Sequence, residues 1–163
     1  MKKDRIDELQ QDWGEQRPDL DSDALGVVLR IQALAKILGD MTAQSLDDFD
    51  LQWWQYDVLA ALRRQGAPFI MSATELSEAV MLTSGAMTNR LDRLEADGFL
   101  RRLKDAEDRR KVLVQLSETG RELIDSAAKA RFQSASEALE NLRAGQRDEL
   151  SDLLRQTLLA LEA

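Results

Sequence analysis

Residues 83–112 constrain the fold of this chain more than any other stretch, and they read TSGAMTNRLDRLEADGFLRRLKDAEDRRKV. Met87, Leu91 and Leu94 recur at helical spacing, so the stretch predicts a helix with one buried face. Gly98 ends this helix, because glycine readily takes the left-handed conformation that closes a helix. The polar positions of the same helix are therefore expected to face away from the core.

Two short strands are predicted after this helix, at residues 99–103 and 112–116. The hairpin tip between them, residues 104–111, carries two arginines and two lysines. A helix followed by a basic β-ribbon is the pattern of a winged helix-turn-helix, in which the helix and the ribbon together form a nucleic-acid-binding surface.

A second helix is predicted directly before the first, which completes a helix-turn-helix. It begins beside a capping box, because Ser72 and Glu75 have the required spacing. Met81 and Leu82 form the tight connection between the two helices, and residues 69–71 can add a short strand to the wing. The predicted fold class is mainly α (α+β), a winged helix-turn-helix with a small β-wing.

The outer face of the helix in 83–112 has the chemistry of a DNA-reading surface. It carries small hydroxyls, an amide and a guanidinium, which are groups that reach base edges and phosphates. We therefore expect the partner to be double-stranded DNA. The positions on this face are Ser84, Thr88, Asn89 and Arg93.

The charge distribution agrees with a local DNA-binding surface on an acidic body. The chain has a net charge of −8. Residues 1–82 carry 8 basic and 15 acidic side chains, residues 83–112 carry 8 and 6, and residues 113–163 carry 6 and 9. Affinity for phosphate depends on local neutralisation, so the positive balance of the middle segment is the relevant quantity.

Amphipathic helices are predicted on both sides of the winged segment, with the aromatic residues of the third one in the core. Their apolar faces exceed what a small helix-turn-helix core can cover, so a second copy of the chain is expected. Two recognition helices about one helical turn apart would read a palindromic operator. The long helices are expected to tie the chain into a single unit. The predicted ranges are 3–16, 22–47, 52–65, 118–142 and 147–162.

The residues that the chain lacks argue against other classes of function. It contains no cysteine and no histidine, which removes the usual thiolate ligands, nucleophiles and general bases. We expect no catalytic residue, no metal and no other cofactor. No apolar run approaches the roughly 20 residues that cross a bilayer, so a cytoplasmic protein without membrane contact is expected. A purely structural helical dimer would have no use for a polar recognition face and a basic wing.

Residues 72–120 strongly resemble the MarR family of winged helix-turn-helix regulators. The similarity lies in the opening of the recognition helix, the arginine-rich strand, the Asp-Arg-Arg wing and a downstream glycine. The matching positions are Leu82, Thr83, Arg90, Leu91, Asp92, Leu94, Gly98, Arg101, Arg102, Asp108, Arg109, Arg110, Leu116 and Gly120.

The resemblance implies a homodimer joined through N- and C-terminal dimerisation helices, with each protomer a single unit over 1–163. In that layout residues 1–20 form an extra N-terminal helix and a ligand arm, and residues 52–116 form the winged helix-turn-helix. Residues 22–50 and 117–163 supply the dimerisation helices.

The resemblance also assigns DNA contacts to the wing. Arg110 at the tip would enter the minor groove, with Asp108 bracing it and Arg109 beside it, because arginine suits a narrow and electronegative groove. Without the family pattern, these arginines would be interpreted as part of a solvated turn. The positions expected to face the major groove are Ser84, Thr88, Asn89 and Arg93.

A narrower similarity connects the chain to the urate-responsive, PecS/HucR-like branch of the family. That branch surrounds a purine-derived ligand with four residues, which match Trp13, Arg17, Asp57 and Arg90 in order and approximate spacing. Without this similarity, Trp13 would be interpreted as part of a packing arm with a solvated Arg17, and Asp57 as a solvated or capped carboxylate.

The resulting hypothesis is a repressor that binds its operator as a homodimer and is released by a small anion, urate or a related purine. Asp57 is expected near Arg90 without ligand, so an entering anion would repel Asp57 and compete for Arg90. Moving Arg90 would shift the recognition helix, which couples the two sites. The alternative is a regulator of the same family that responds to a phenolic or other aromatic acid, or to no small molecule.

Overall fold

The computed structural model describes residues 2–104 and 111–162, apart from the side chain of Ser84. Most of the described chain is helical, with a small antiparallel sheet, as the sequence predicts. In chain order the elements are α1 (Arg5–Gln16), α2 (Ser22–Asp47), α3 (Trp53–Arg64), β1 (Ile70–Ser72), α4 (Ala73–Ala79), α5 (Ser84–Ala96), β2 (Leu100–Lys104), β3 (Val112–Leu116), α6 (Glu118–Ala138) and α7 (Ala144–Glu162).

The chain divides into two compact units, Met1–Thr42 and Ala43–Ala163. In the N-terminal unit, Arg30 of α2 joins α1 by ion pairs to Asp4, at 3.0 Å, and Asp7, at 2.9 Å. These contacts seat the extra N-terminal helix on the first half of α2. The prediction that the chain forms a single unit stays a prediction.

The core of the C-terminal unit is built from the apolar faces of α3, α5, α6 and the sheet. Met87, Leu91 and Leu94 are almost completely buried, which confirms the buried face predicted for the recognition helix. Burial of each such side chain contributes roughly 1.5–3 kcal/mol relative to exposure. Leu59 of α3 and Ile124 of α6 are fully buried in the same cluster.

The sheet has the strand order β1-β3-β2, and both pairs are antiparallel. The wing register places Leu100 opposite Leu116 and Lys104 opposite Val112. The β1 strand begins one residue later than predicted, because Phe69 has a positive φ of 60° that interrupts the extended backbone. The small wing sheet is therefore confirmed, with shifted strand ends.

Side-chain caps define the two helices of the helix-turn-helix. Ser72 caps α4 and forms a capping box with Glu75, as the spacing predicts. Thr83 caps α5 by accepting a hydrogen bond from the backbone N–H of Ala86. Between the helices, Met81 has a φ of 54°, so the chain reverses there without a glycine.

The C-terminal helices leave much apolar surface exposed in the single chain. The described part of α7 has no buried residue, and Leu158 and Leu161 are among its exposed leucines. The helix α7 begins at Ala144, three residues earlier than predicted. The side chain of Gln146 accepts a hydrogen bond from the backbone N–H of Arg143, which stabilises this earlier start. The homodimer expected to cover these faces stays a prediction.

None of the described helices combines the length and the apolar composition needed to cross a membrane.

The replacement Gly120→Ala should destabilise the C-terminal unit. Gly120 is buried, and a methyl group there would lie 2.0 Å from the carbonyl oxygen of Phe99, which is backbone and cannot rotate away. We expect the free energy of unfolding to fall by about 1–3 kcal/mol, measured by urea denaturation. The control is Gly145→Ala in α7, where nothing outside its chain neighbours and the backbone of its own helix lies within 4 Å of the added carbon. An unchanged midpoint for Gly120→Ala would contradict the packing.

Candidate functional site

The exposed face of α5 is the candidate DNA-reading surface. Thr88, Asn89 and Arg93 are exposed on the side of the helix opposite the buried stripe. The side chain of Ser84, predicted to belong to the same face, lies outside the described residues. The helix therefore presents hydroxyl, amide and guanidinium groups at its surface, as the sequence predicts.

The predicted wing contacts Asp108, Arg109 and Arg110 lie outside the described residues. The strands that carry the wing are described, and their connection to α5 is specific. Arg102 of β2 forms ion pairs with Glu95, at 2.5 Å, and with Asp92, at 2.6 Å, both on α5.

Two further hydrogen bonds complete the contact between the wing and α5. The backbone N–H of Arg102 donates to Glu95 at 2.7 Å, and its Nη2 donates to the carbonyl oxygen of Thr88 at 3.2 Å. The backbone N–H of Arg102 is the main reason that the pKa of Glu95 is lowered, and the guanidinium lowers it further. The base of the wing and the recognition helix are therefore joined by charge-assisted hydrogen bonds.

The start of α3 carries two tryptophans, and the ring of each one makes a cation–π contact with an arginine. The guanidinium of Arg90 lies 5.3 Å from the ring centroid of Trp54, and that of Arg131 lies 5.7 Å from the ring centroid of Trp53. Trp53 also stacks on Tyr56, with 5.7 Å between ring centroids. The prediction that the aromatic residues of this helix are core is wrong for Trp53. Its side chain is 48% exposed, and its ring contacts the guanidinium of Arg131.

Asp57 lies one helical turn after the two tryptophans and is half-buried. Burial raises the pKa of its carboxyl group, while the positive charges of Arg64, Arg90 and Arg131 lower it, and the net change is upward. Asp57 and Arg90 thus interact electrostatically, although they belong to different helices. The arrangement is a carboxylate that burial disfavours and three guanidinium groups stabilise.

The remaining two predicted ligand residues lie in the N-terminal unit. Trp13 is 44% exposed and lines an open hollow of about 500 Å³ along α1. Arg17 binds Asp19 in a bidentate ion pair, with Nε–Oδ1 and Nη2–Oδ2 distances of 2.8 and 2.6 Å. This pair raises the pKa of Arg17 and lowers that of Asp19.

Two further arginines, Arg64 and Arg131, act on Asp57 and are not predicted from the sequence. Arg64 follows Asp57 by two helical turns on the same helix, so helical spacing would have indicated it. Arg131 belongs to α6, and no local pattern connects it to Asp57, because only packing of α6 against α3 brings the two together.

An open hollow of about 270 Å³ lies beside this cluster, between α3 and α5. Trp54 and Arg93 both contribute to its wall, so it connects the aromatic cluster with the exposed face of the recognition helix. Among the described residues, no group of acidic side chains has the arrangement of a metal site.

Comparison with known proteins decides the family. The sequence pattern of the MarR family matches residues 51–112. The transcriptional regulator PecS of Dickeya dadantii (strain 3937) is 30% identical over 149 residues, which cover 91% of this chain and 90% of PecS. The chain belongs to the MarR family.

Solved structures of the family have the same fold. A mutant MarR from E. coli complexed with operator DNA is 26% identical, with a TM-score of 0.71 and coverage of 90% of this chain and 97% of that chain. BpsR from Bordetella bronchiseptica is 29% identical, with a TM-score of 0.66 and coverage of 82% and 98%. This MarR-family member is therefore a DNA-binding transcriptional regulator and not an enzyme, and the predicted winged helix-turn-helix is confirmed.

Asp57→Asn should stabilise the protein at neutral pH. A carboxyl group whose folded pKa is raised binds its proton more tightly in the folded state, so the charged form costs stability above that pKa. The wild type therefore loses stability as pH rises from the ordinary value of 3.8 through the folded pKa. We expect Asp57→Asn to raise the Tm at pH 7, with the difference shrinking towards zero as the pH falls well below 3.8.

The control for this measurement is Asp125→Asn, which removes an ion pair with Arg63 at 2.6 Å. It should leave the Tm unchanged or lower it. A lower Tm for Asp57→Asn at pH 7 would show that the carboxylate is stabilised more by the arginines than it is destabilised by burial.

Proposed function

We propose that this protein is a repressor whose homodimer binds a palindromic operator in the cytoplasm and is released by a planar anion, urate or a related purine. The observation that carries the proposal is the position of Arg90. It belongs to the recognition helix, yet its guanidinium lies on Trp54 of α3 and acts on Asp57. A ligand that engages Arg90 therefore acts directly on the helix that reads DNA.

On the DNA side, the exposed face of α5 supplies the major-groove contacts. Thr88, Asn89 and Arg93 are exposed in the orientation that this role needs, and Ser84 joins them by sequence. The wing contacts, Asp108, Arg109 and Arg110, rest on resemblance to the family. A solved MarR relative bound to operator DNA supports the general arrangement.

The exposed apolar surfaces of the terminal helices support the homodimer. Val27, Leu34 and Ile37 of α2 and Leu158 and Leu161 of α7 are between 51% and 82% exposed in the single chain. Large apolar side chains exposed on a helix in this way are typical of an interface. A second copy would cover it and would pair two recognition helices for a palindromic site.

On the effector side, the cluster on α3 has the chemistry that a flat anion needs. An indole offers a surface for stacking, and guanidinium groups pair with anionic oxygen atoms. An anion near Arg90 repels the carboxylate of Asp57 and competes with it for Arg90. The helix α5 then shifts, and the base of the wing follows because Arg102 holds it to Glu95 and Asp92.

For Trp13 and Arg17, the proposed role in effector binding rests on sequence resemblance to the urate-responsive branch. Arg17 is paired with Asp19 in the absence of ligand. An anion that binds Arg17 would have to replace this carboxylate. Because the pair is exposed and screened by solvent, the replacement is energetically modest.

A second candidate effector is an aromatic acid. The structure of BpsR concerns regulation of its DNA binding by 6-hydroxynicotinic acid, and BpsR is 29% identical to this chain. A pyridine ring with a carboxylate could stack on Trp54 and pair with Arg90 as a purine would. The same two side chains therefore support both candidates.

The deciding experiment is a titration of the purified protein against its own promoter DNA, with and without urate, xanthine and 6-hydroxynicotinic acid. Release by urate supports the purine effector, and release by 6-hydroxynicotinic acid alone supports the aromatic acid. Tight DNA binding that none of these compounds disturbs would remove the effector proposal and keep the regulator.

Arg93→Ala should weaken operator binding and reduce its dependence on salt. If Arg93 neutralises one phosphate, the slope of log K against log salt falls in magnitude by about 0.9. The matched control is Arg155→Ala, because Arg155 is an exposed arginine on α7 that pairs with Asp152. Equal slopes for Arg93→Ala and the wild type, measured by fluorescence anisotropy, would remove Arg93 from the interface.

A further inference from the structure

The two arginine–tryptophan pairs at the start of α3 have the same form but different origins. Arg90 reaches Trp54 from α5, and Arg131 reaches Trp53 from α6. Asp57 follows Trp53 by four residues and Trp54 by three, so it lies one turn along the same side of α3 as both tryptophans. The resemblance to the urate-responsive branch accounts for Arg90 and leaves Arg131 without a role.

We propose that Arg131 is a second effector-binding cation, and that the effector is a planar anion with acceptor atoms on two of its edges. This inference rests on the proposed function. It extends the proposed site from α3 and α5 to α6, and it narrows the chemical class of the effector.

The guanidinium groups of Arg90 and Arg131 have N–H donors that are available to a ligand. Arg131 and Arg90 are half-buried, and neither forms an ion pair with a carboxylate anywhere in residues 2–104 or 111–162. Each guanidinium carries five N–H donors in a planar fork. A bound anion would therefore supply acceptors that the described protein residues do not.

The charge balance of the cluster favours an anionic ligand. Three arginines, Arg64, Arg90 and Arg131, act on the one carboxylate of Asp57. The cluster thus has an excess of two positive charges, in a half-buried region where electrostatic interactions exceed those in bulk water. Neutral or cationic heterocycles would gain nothing from this excess.

The separate origins of the two arginines set the shape requirement. Trp53 and Trp54 are consecutive residues of α3, and consecutive side chains of a helix point about 100° apart. Arg90 and Arg131 therefore contact rings that face different directions, so a ligand with acceptor atoms on two of its edges suits the pair better than a ligand with acceptors on one edge. Urate carries oxygen acceptors on both of its rings, whereas salicylate carries its acceptors on one edge. Binding to both cations therefore distinguishes these two planar anions.

The test is isothermal titration calorimetry of the full-length protein with urate and with salicylate. We expect Arg131→Gln to weaken urate binding tenfold or more, because charge-assisted bidentate hydrogen bonds are lost. Salicylate binding should change by less than about threefold, since one cation suffices for it. Arg131→Lys should recover part of the urate affinity, because it keeps the charge without the planar fork.

The matched control is Arg121→Gln, which lies on the same helix and pairs with Glu118. It should leave both affinities unchanged. Circular dichroism and the Tm of Arg131→Gln will show that the variant is folded, and the lysine variant gives a second reading if it is not.

The outcomes separate this inference from the proposed function. If the wild type binds urate and Arg131→Gln binds it equally well, Arg131 is not an effector residue, while the proposed function stands. Equal losses for urate and salicylate would keep Arg131 as a binding cation and overturn the two-edge requirement. If the wild type binds neither compound, the purine effector of the proposed function fails, and the inference fails with it.

Discussion

Burial of the apolar stripe of α5 is the interaction on which the rest of the structure depends. Met87, Leu91 and Leu94 fix the rotation of the helix about its axis, because exposing them would cost several kcal/mol. With that rotation fixed, Asn89 is directed outward and Arg90 lies at the boundary of the buried stripe. One packing constraint thus positions both the candidate DNA-reading face and the residue that contacts α3.

The proposed coupling between effector binding and DNA binding depends on the elements that α5 contacts. On one side Arg102 joins it to the base of the wing, and on another Arg90 joins it to Trp54. Coupling requires that a ligand interact differently with two arrangements of the same element. Under the proposed mechanism, a half-buried arginine on an aromatic ring would provide such a difference, because an anion there would change what the guanidinium binds without disturbing the apolar stripe.

Asp57 illustrates the cost of such a site. Its carboxylate is disfavoured by burial and partly compensated by arginines that come from three helices. A core built only for stability would place an apolar residue there, since well-packed apolar groups often equal or exceed buried charges in stability. A carboxyl group with a raised pKa, packed beside the helix of the candidate site, is typical of functional sites.

The sequence by itself determined the elements, the buried stripe of α5, the cap at Ser72 and the family, because these depend on local spacing. Strand ends differ from the prediction where the backbone leaves the extended conformation, as at Phe69, whose φ is positive. Only the tertiary structure placed Arg131 on Trp53 and showed Trp53 to be half-exposed. Helical periodicity specifies which side chains share a face, but contacts between α3 and α6 depend on how distant segments pack, which no local pattern encodes.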